Sequence, residues 1–152
     1  MAGAAAAFVS LALACGYAFG AAPAWTVDAG EARSTAGDAA IVVACADDAN
    51  GMRIAVEGRG WRPGPAEVRV AGGAADPFDL GATIGPDGVA TFGDDDEDRL
   101  WARLLVADQL IVTFRGDGWF VALPFATDGF GDAFALLGCP RADACPARSC
   151  GP

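Results

Sequence analysis

From Ile41 to Phe125 the chain is a succession of short alternating or β-branched runs, each stopped by a turn rich in Gly, Pro or Asn, and this punctuation points to an antiparallel β fold. Residues 41–45 and 52–57 flank a segment ending in Asn50-Gly51, a strong turn dipeptide, and predict a hairpin. In residues 66–70, Val68 and Val70 face one way and Glu67 and Arg69 the other. Residues 78–80 and 89–92 are shorter strand candidates, the second introduced by Pro86-Asp87-Gly88. Residues 109–114 and 119–125 form the best-defined hairpin, joined across Arg115-Gly116-Asp117-Gly118.

Two segments carry helical periodicity. Residues 98–107 place Leu100, Leu104 and Ala107 on one stripe with Trp101 and Leu105 beside it, which leaves Arg99 and Arg103 facing outward. Residues 131–137 are a short apolar second helix stopped at Gly138. Two packed sheets are the usual way to bury the inner faces of such strands. The expected fold is therefore mainly β: an antiparallel sandwich, or alternatively a partly open barrel, with one core helix and a short C-terminal helix.

The first charged side chain is Asp28, and the residues before it are mostly Ala, Gly and Leu with Phe8, Val9, Tyr17 and Phe19. The run is too rich in small residues for a strong membrane span but long enough for the apolar region of a secretory signal peptide. No Lys or Arg precedes it. Ala18-Phe19-Gly20 offers small residues where a signal peptidase reads them, so cleavage is expected after Gly20, leaving a single domain over residues 21–139 and a Cys- and Pro-containing tail over 140–152. An uncleaved anchor and a lipoprotein formed through Cys15 in Leu13-Ala14-Cys15-Gly16 are the alternatives.

What the chain lacks narrows its chemistry. Of 152 residues 20 are acidic and 10 basic, all of the latter Arg, for a formal charge of −10. That balance opposes binding to nucleic acid or to an anionic membrane, and no membrane insertion is expected after cleavage. There is no His and no Lys, and the single Tyr, Tyr17, lies in the leading segment. Ser-His-Asp, Cys-His and Ser-Lys machinery, His-containing zinc sites and the 2-His-1-carboxylate iron site are all excluded. An enzyme built from these residues would use carboxylates alone, as a glycan hydrolase does, or a carboxylate-bound metal. No catalytic residue, metal or cofactor is expected.

Three motifs need weighing. Asp94-Asp95-Asp96-Glu97-Asp98 lacks the alternating ligands, central Gly and terminal Glu of a calcium loop, and acids at a helix start are favoured by the helix dipole. Arg115-Gly116-Asp117 spells an integrin-recognition tripeptide, but Gly and Asp-Gly are also what a tight turn requires. In the loop 59–65, Arg59 and Arg62 flank Trp61 among Gly and Pro, forming the candidate binding surface for a sugar ring or an anionic group. The competing reading turns Trp61 inward as a core anchor and leaves both Arg residues in solvent.

Cys45, Cys139, Cys145 and Cys150 remain once Cys15 is removed, an even set that suits an oxidising compartment. Four cysteines allow three pairings. Joining Cys45 to Cys139 would tie the first hairpin to the C-terminal end across a loop of about 94 residues, and Cys145 with Cys150 would then close a small tail loop. A four-cysteine zinc site is opposed by the C-x5-C-x4-C spacing, which has no short C-x-x-C chelate.

Trp25-Thr26-Val27, the strand ending in Cys45, the Trp61 loop followed by Val68-Arg69-Val70-Ala71-Gly72, and the closing Leu123-Pro124-Phe125, Gly129-Phe130, Ala133-Phe134-Ala135 and Cys139 resemble the small periplasmic proteins of the invasion-associated locus B type. The resemblance spans most of residues 25–139 and consists of scattered single residues. It implies an exported β-sandwich-like domain of Gram-negative cells with a disulfide near its C-terminal helix and no catalytic residues to carry over. The Cys145 and Cys150 tail and the acidic run depart from it. The expected protein is periplasmic or secreted, a non-enzymatic, monomeric binder of a protein or glycan of the cell envelope, with a glycan hydrolase and a protease inhibitor as the other classes.

Overall fold

A computed structural model of the chain describes residues 24–45 and 52–139. Nine antiparallel strands build it: β1 (Thr26–Asp28), β2 (Glu31–Ala36), β3 (Ala39–Ala44), β4 (Arg53–Gly58), β5 (Gly64–Ala71), β6 (Phe78–Ile84), β7 (Val89–Phe92), β8 (Gln109–Gly116) and β9 (Trp119–Ala126). Helix α1 (Asp94–Val106) joins β7 to β8, and α2 (Phe130–Leu137) follows β9. The strands form one continuous sheet in the order β1-β2-β3-β4-β7-β6-β5-β8-β9. The sheet curls until β2 approaches β9, where the Ser34 hydroxyl of β2 donates to the Ala126 carbonyl of β9 at 3.0 Å. The mainly β class with a core helix and a short C-terminal helix is as expected. The architecture is the partly open barrel rather than two separate sheets, because the twist of nine strands brings β2 round to β9.

Alternation does the building. Val68 stands opposite Leu80 on one side and Phe114 on the other, and Ile41 opposite Val56, all facing inward and all nearly fully buried. Burying each such side chain stabilises the fold by about 1.5–3 kcal/mol. The helices, the long β5–β6 connection and the disulfide gather at one end of the barrel, while four connections cluster at the other: residues 37–38, 59–63, 85–88 and 117–118. The helix end is filled by aromatic rings, with Trp25 4.7 Å and Trp101 5.0 Å from Phe130, and Trp101 4.6 Å from Phe134. Just beyond α2, Cys139 bonds to Cys45 at the end of β3. Cys15, Cys145 and Cys150, the leading segment and its cleavage point, and the Asn50-Gly51 turn lie outside the described residues.

Two expectations need correction. Arg103 does not face outward: it is buried, and its guanidinium donates to the carbonyls of Gly72 at 2.6 Å, Ala75 at 3.1 Å and Asp76 at 2.8 Å. The β5–β6 connection supplies those acceptors, and helical periodicity alone does not reveal a loop folding over the far side of a helix. Leu105, expected beside the buried stripe, is exposed. Leu100, Leu104 and Ala107 are buried as the periodicity required.

The acidic run forms the first turn of α1 rather than preceding it, since the helix starts at Asp94. Asp96 accepts from the Gly81 N–H at 3.1 Å, tying that turn to β6. Glu97 is half-buried, and desolvation pushes its carboxyl above the ordinary value of 4.5, against the opposing pull of a backbone hydrogen bond from Ile54 and the charge of Arg53. A folded pKa above the unfolded one costs nothing while both states are protonated. The cost grows as pH rises through the ordinary value toward the raised one. Urea midpoints of wild type and Glu97→Gln are therefore expected to converge below pH 4.5 and to separate above it, with the variant the more stable. Midpoints that separate in the opposite sense would show that Glu97 is held there by its charge.

Candidate functional site

At the turn end an open groove of about 630 Å³ runs across the outer face of the sheet. Its floor is one register row: Thr35 on β2 stands opposite Ala40 on β3, Ala40 opposite Glu57 on β4, and Glu57 opposite Val89 on β7. Ala40 keeps the middle of that floor low. Arg33 lies two residues back along β2 and reaches across β3 to Glu57, at 2.5 Å and 3.2 Å, while also meeting Glu31 at 3.2 Å. The Glu57 hydrogen bond, with Glu31 helping, raises the Arg33 pKa further, so the guanidinium is a fixed positive group neutralised by two carboxylates.

The rim is made by three connections. The Arg59 N–H donates to the Asp38 carbonyl at 3.4 Å, and the Gly58 N–H donates to the Gly88 carbonyl at 3.0 Å, which draws the 37–38, 59–63 and 85–88 turns together. Asp87 accepts from the Val89 N–H at 3.2 Å, bracing its own turn. Asp38, Arg59 and Asp87 thus border the groove beside the Thr35 hydroxyl. Arg33 is ion-paired in this set, and Arg59 is exposed with no side-chain partner among the described residues. A guanidinium, a hydroxyl and carboxylates around an open floor suit a ligand offering several hydroxyl or amide groups. No cluster of three or more His, Cys, Asp or Glu fit to hold a metal occurs among the described residues.

The structure divides the proposed Arg59, Trp61, Arg62 surface. Arg59 borders the groove and Arg62 is exposed, whereas Trp61 turns inward and plugs the turn end of the barrel, 4.5 Å from Phe114 and 6.1 Å from Trp119. Gly58 makes this possible: a Cβ there would fall inside the Trp61 indole. Gly58→Ala must expel the ring, and an overpacked core costs about 1–3 kcal/mol. Trp61 fluorescence is expected to shift to the red with a loss of that size in urea unfolding. An unchanged spectrum would show that the ring is not seated on Gly58.

In Arg115-Gly116-Asp117, the first two residues end β8 and the third opens a two-residue turn completed by Gly118 in the left-handed region at φ 72°. The tripeptide is accounted for by the hairpin. The groove residues Arg33 and Thr35 escape sequence reading because β2, with only Ala32, Ser34 and Ala36 facing inward, shows no hydrophobic alternation, while Asp38, Glu57 and Asp87 come beside them only through strand pairing. The available signal was the polar alternation Glu31, Arg33, Thr35. A second recess, of about 400 Å³, lies between β1 and α2 beside Trp25, Val27 and Leu136. No helix among the described residues is long and apolar enough to cross a membrane. No protein-family model, no curated protein and no solved structure matches the chain.

Proposed function

We propose that this chain is an exported, disulfide-locked domain of the periplasm or cell exterior that binds an envelope glycan or protein through its turn end, without transforming it. The observation that carries the reading is the Cys45–Cys139 disulfide, which persists in oxidising compartments and agrees with the signal-like leading segment. The groove beside Arg59 supplies the ligand surface: it is open, and its Arg33 and Glu57 are engaged with each other. Kinship with the invasion-associated locus B type is proposed on the same ground, a disulfide beside the C-terminal helix.

Titration of isotope-labelled protein with soluble peptidoglycan and lipopolysaccharide oligosaccharides tests this. Amide shifts are expected at Thr35, Asp38, Gly58 and Arg59, weakened about tenfold or more in Arg59→Ala, as loss of a charged hydrogen bond implies. Fragments that are hydrolysed would replace binding with catalysis. Shifts confined to other faces would remove the groove from the reading.

A further inference from the structure

The curled sheet leaves part of one edge uncovered, and the hydrogen-bond phase of the last hairpin shows which part. Thr127 N–H donates to the Asp108 carbonyl at 3.1 Å, and the register continues through Leu110 opposite Phe125 to Gly116 opposite Trp119. In an antiparallel pair, bonded and non-bonded residue pairs alternate. The backbone groups of Phe120, Ala122, Pro124 and Ala126 therefore point away from β8, as the Ser34 bond to the Ala126 carbonyl independently shows. β2 runs antiparallel to β9, so with Ser34 beside Ala126 its last residue, Ala36, comes level with Pro124. Pro124 has no N–H to offer. Phe120 and Ala122 lie beyond the end of β2, and their N–H and carbonyl groups have no partner among the described residues.

Natural sheets blunt such an edge with charge, Pro, a bulge or brevity. The opposite edge follows that rule, since β1 is three residues long and ends in Asp28. Trp119-Phe120-Val121-Ala122-Leu123 has none of these devices, and Phe120 is 65% exposed.

We infer that β9 pairs with β9 of a second copy across a two-fold axis at Val121, in place of the monomer expected from sequence. Phe120 of each chain then exchanges both backbone bonds with Ala122 of the other, and on the outer face each Phe120 ring lies over the small Ala122 side chain of its partner. Charge opposes a second copy less at this place than elsewhere. A chain with formal charge −10 repels itself over most of its surface, whereas these five residues are uncharged and the flanking outer positions, Arg115 and Glu67, alternate in sign.

Sedimentation equilibrium of the oxidised protein is expected to show a dimer that dissociates on dilution. Ala122→Pro removes an N–H that the β8–β9 hairpin does not use, and Phe120→Lys places a charge on the edge. Both are expected to sediment as monomers with the wild-type circular dichroism spectrum. In wild type alone, amide exchange at Phe120 and Ala122 is expected to slow as concentration rises. A wild type that stays monomeric up to roughly 1 mM, a dimer that survives both substitutions, or exchange at these amides that ignores concentration overturns the inference.

Discussion

Replacing Cys45 and Cys139 together by Ala is expected to lower stability by about 4–5 kcal/mol, the chain-entropy value for a loop of this size. The two residues are 94 apart in sequence, so the bond withdraws a large set of open conformations from the unfolded chain. In the folded state it fastens the end of β3 to the residue after α2, at the place where the curled sheet and the helix end meet. Small domains are stable by only about 5–15 kcal/mol, so the double variant should be partly unfolded near 37 °C. Urea unfolding of oxidised wild type against the variant measures the difference. Replacing Cys145 and Cys150, which could close only a short loop with each other, is expected to cost far less. Equal losses from the two pairs would mean that the 45–139 bond does not hold the fold.

Arg103→Leu is expected to cost about 1.5–3 kcal/mol, the range for losing hydrogen bonds made by a charged group. The three carbonyls that Arg103 binds come from Gly72, Ala75 and Asp76, so one guanidinium organises the whole β5–β6 connection. It also lies 5.0 Å from the Phe78 ring, with Arg99 4.6 Å from the same ring, so Phe78 is clasped by two cations. Arg103→Lys should recover only part of the loss, because an ammonium cannot repeat the planar fork that spans three acceptors. Arg99→Leu, at an exposed position, is expected to cost under about 1 kcal/mol. Urea midpoints that rank Arg99→Leu as the more damaging would reverse the structural roles assigned to the two residues.

These two residues also mark where sequence reading succeeds and where it stops. Strands with clean alternation, such as Glu67-Val68-Arg69-Val70, and the hairpin 109–125 are legible because a period of two states which face is buried. The stripe Leu100, Leu104, Ala107 is legible for the same reason at helical period. β1 and β2 are not: Ala32, Ser34 and Ala36 face the interior with too little apolar surface to stand out, yet Ser34 closes the barrel through its bond to Ala126. Whether nine strands make two sheets or one curled sheet depends on accumulated twist, which no local pattern encodes. The groove is a still longer-range product. Thr35, Ala40, Glu57 and Val89 become one row only after four strands have paired. Arg59 could be singled out because it stands in a Gly- and Pro-rich loop, and Trp61 beside it went to the core because Gly58 left room for the indole.

Export into an oxidising compartment is tested most directly by the intact mass of the protein recovered from the envelope of a Gram-negative host, measured with thiol alkylation before and after reduction. The expected result is a chain beginning at Ala21 that takes up no alkylating reagent until reduced, with Cys45 and Cys139 joined in the unreduced peptide map. A full-length chain with five free thiols would contradict both the export and the disulfide on which the proposed function rests.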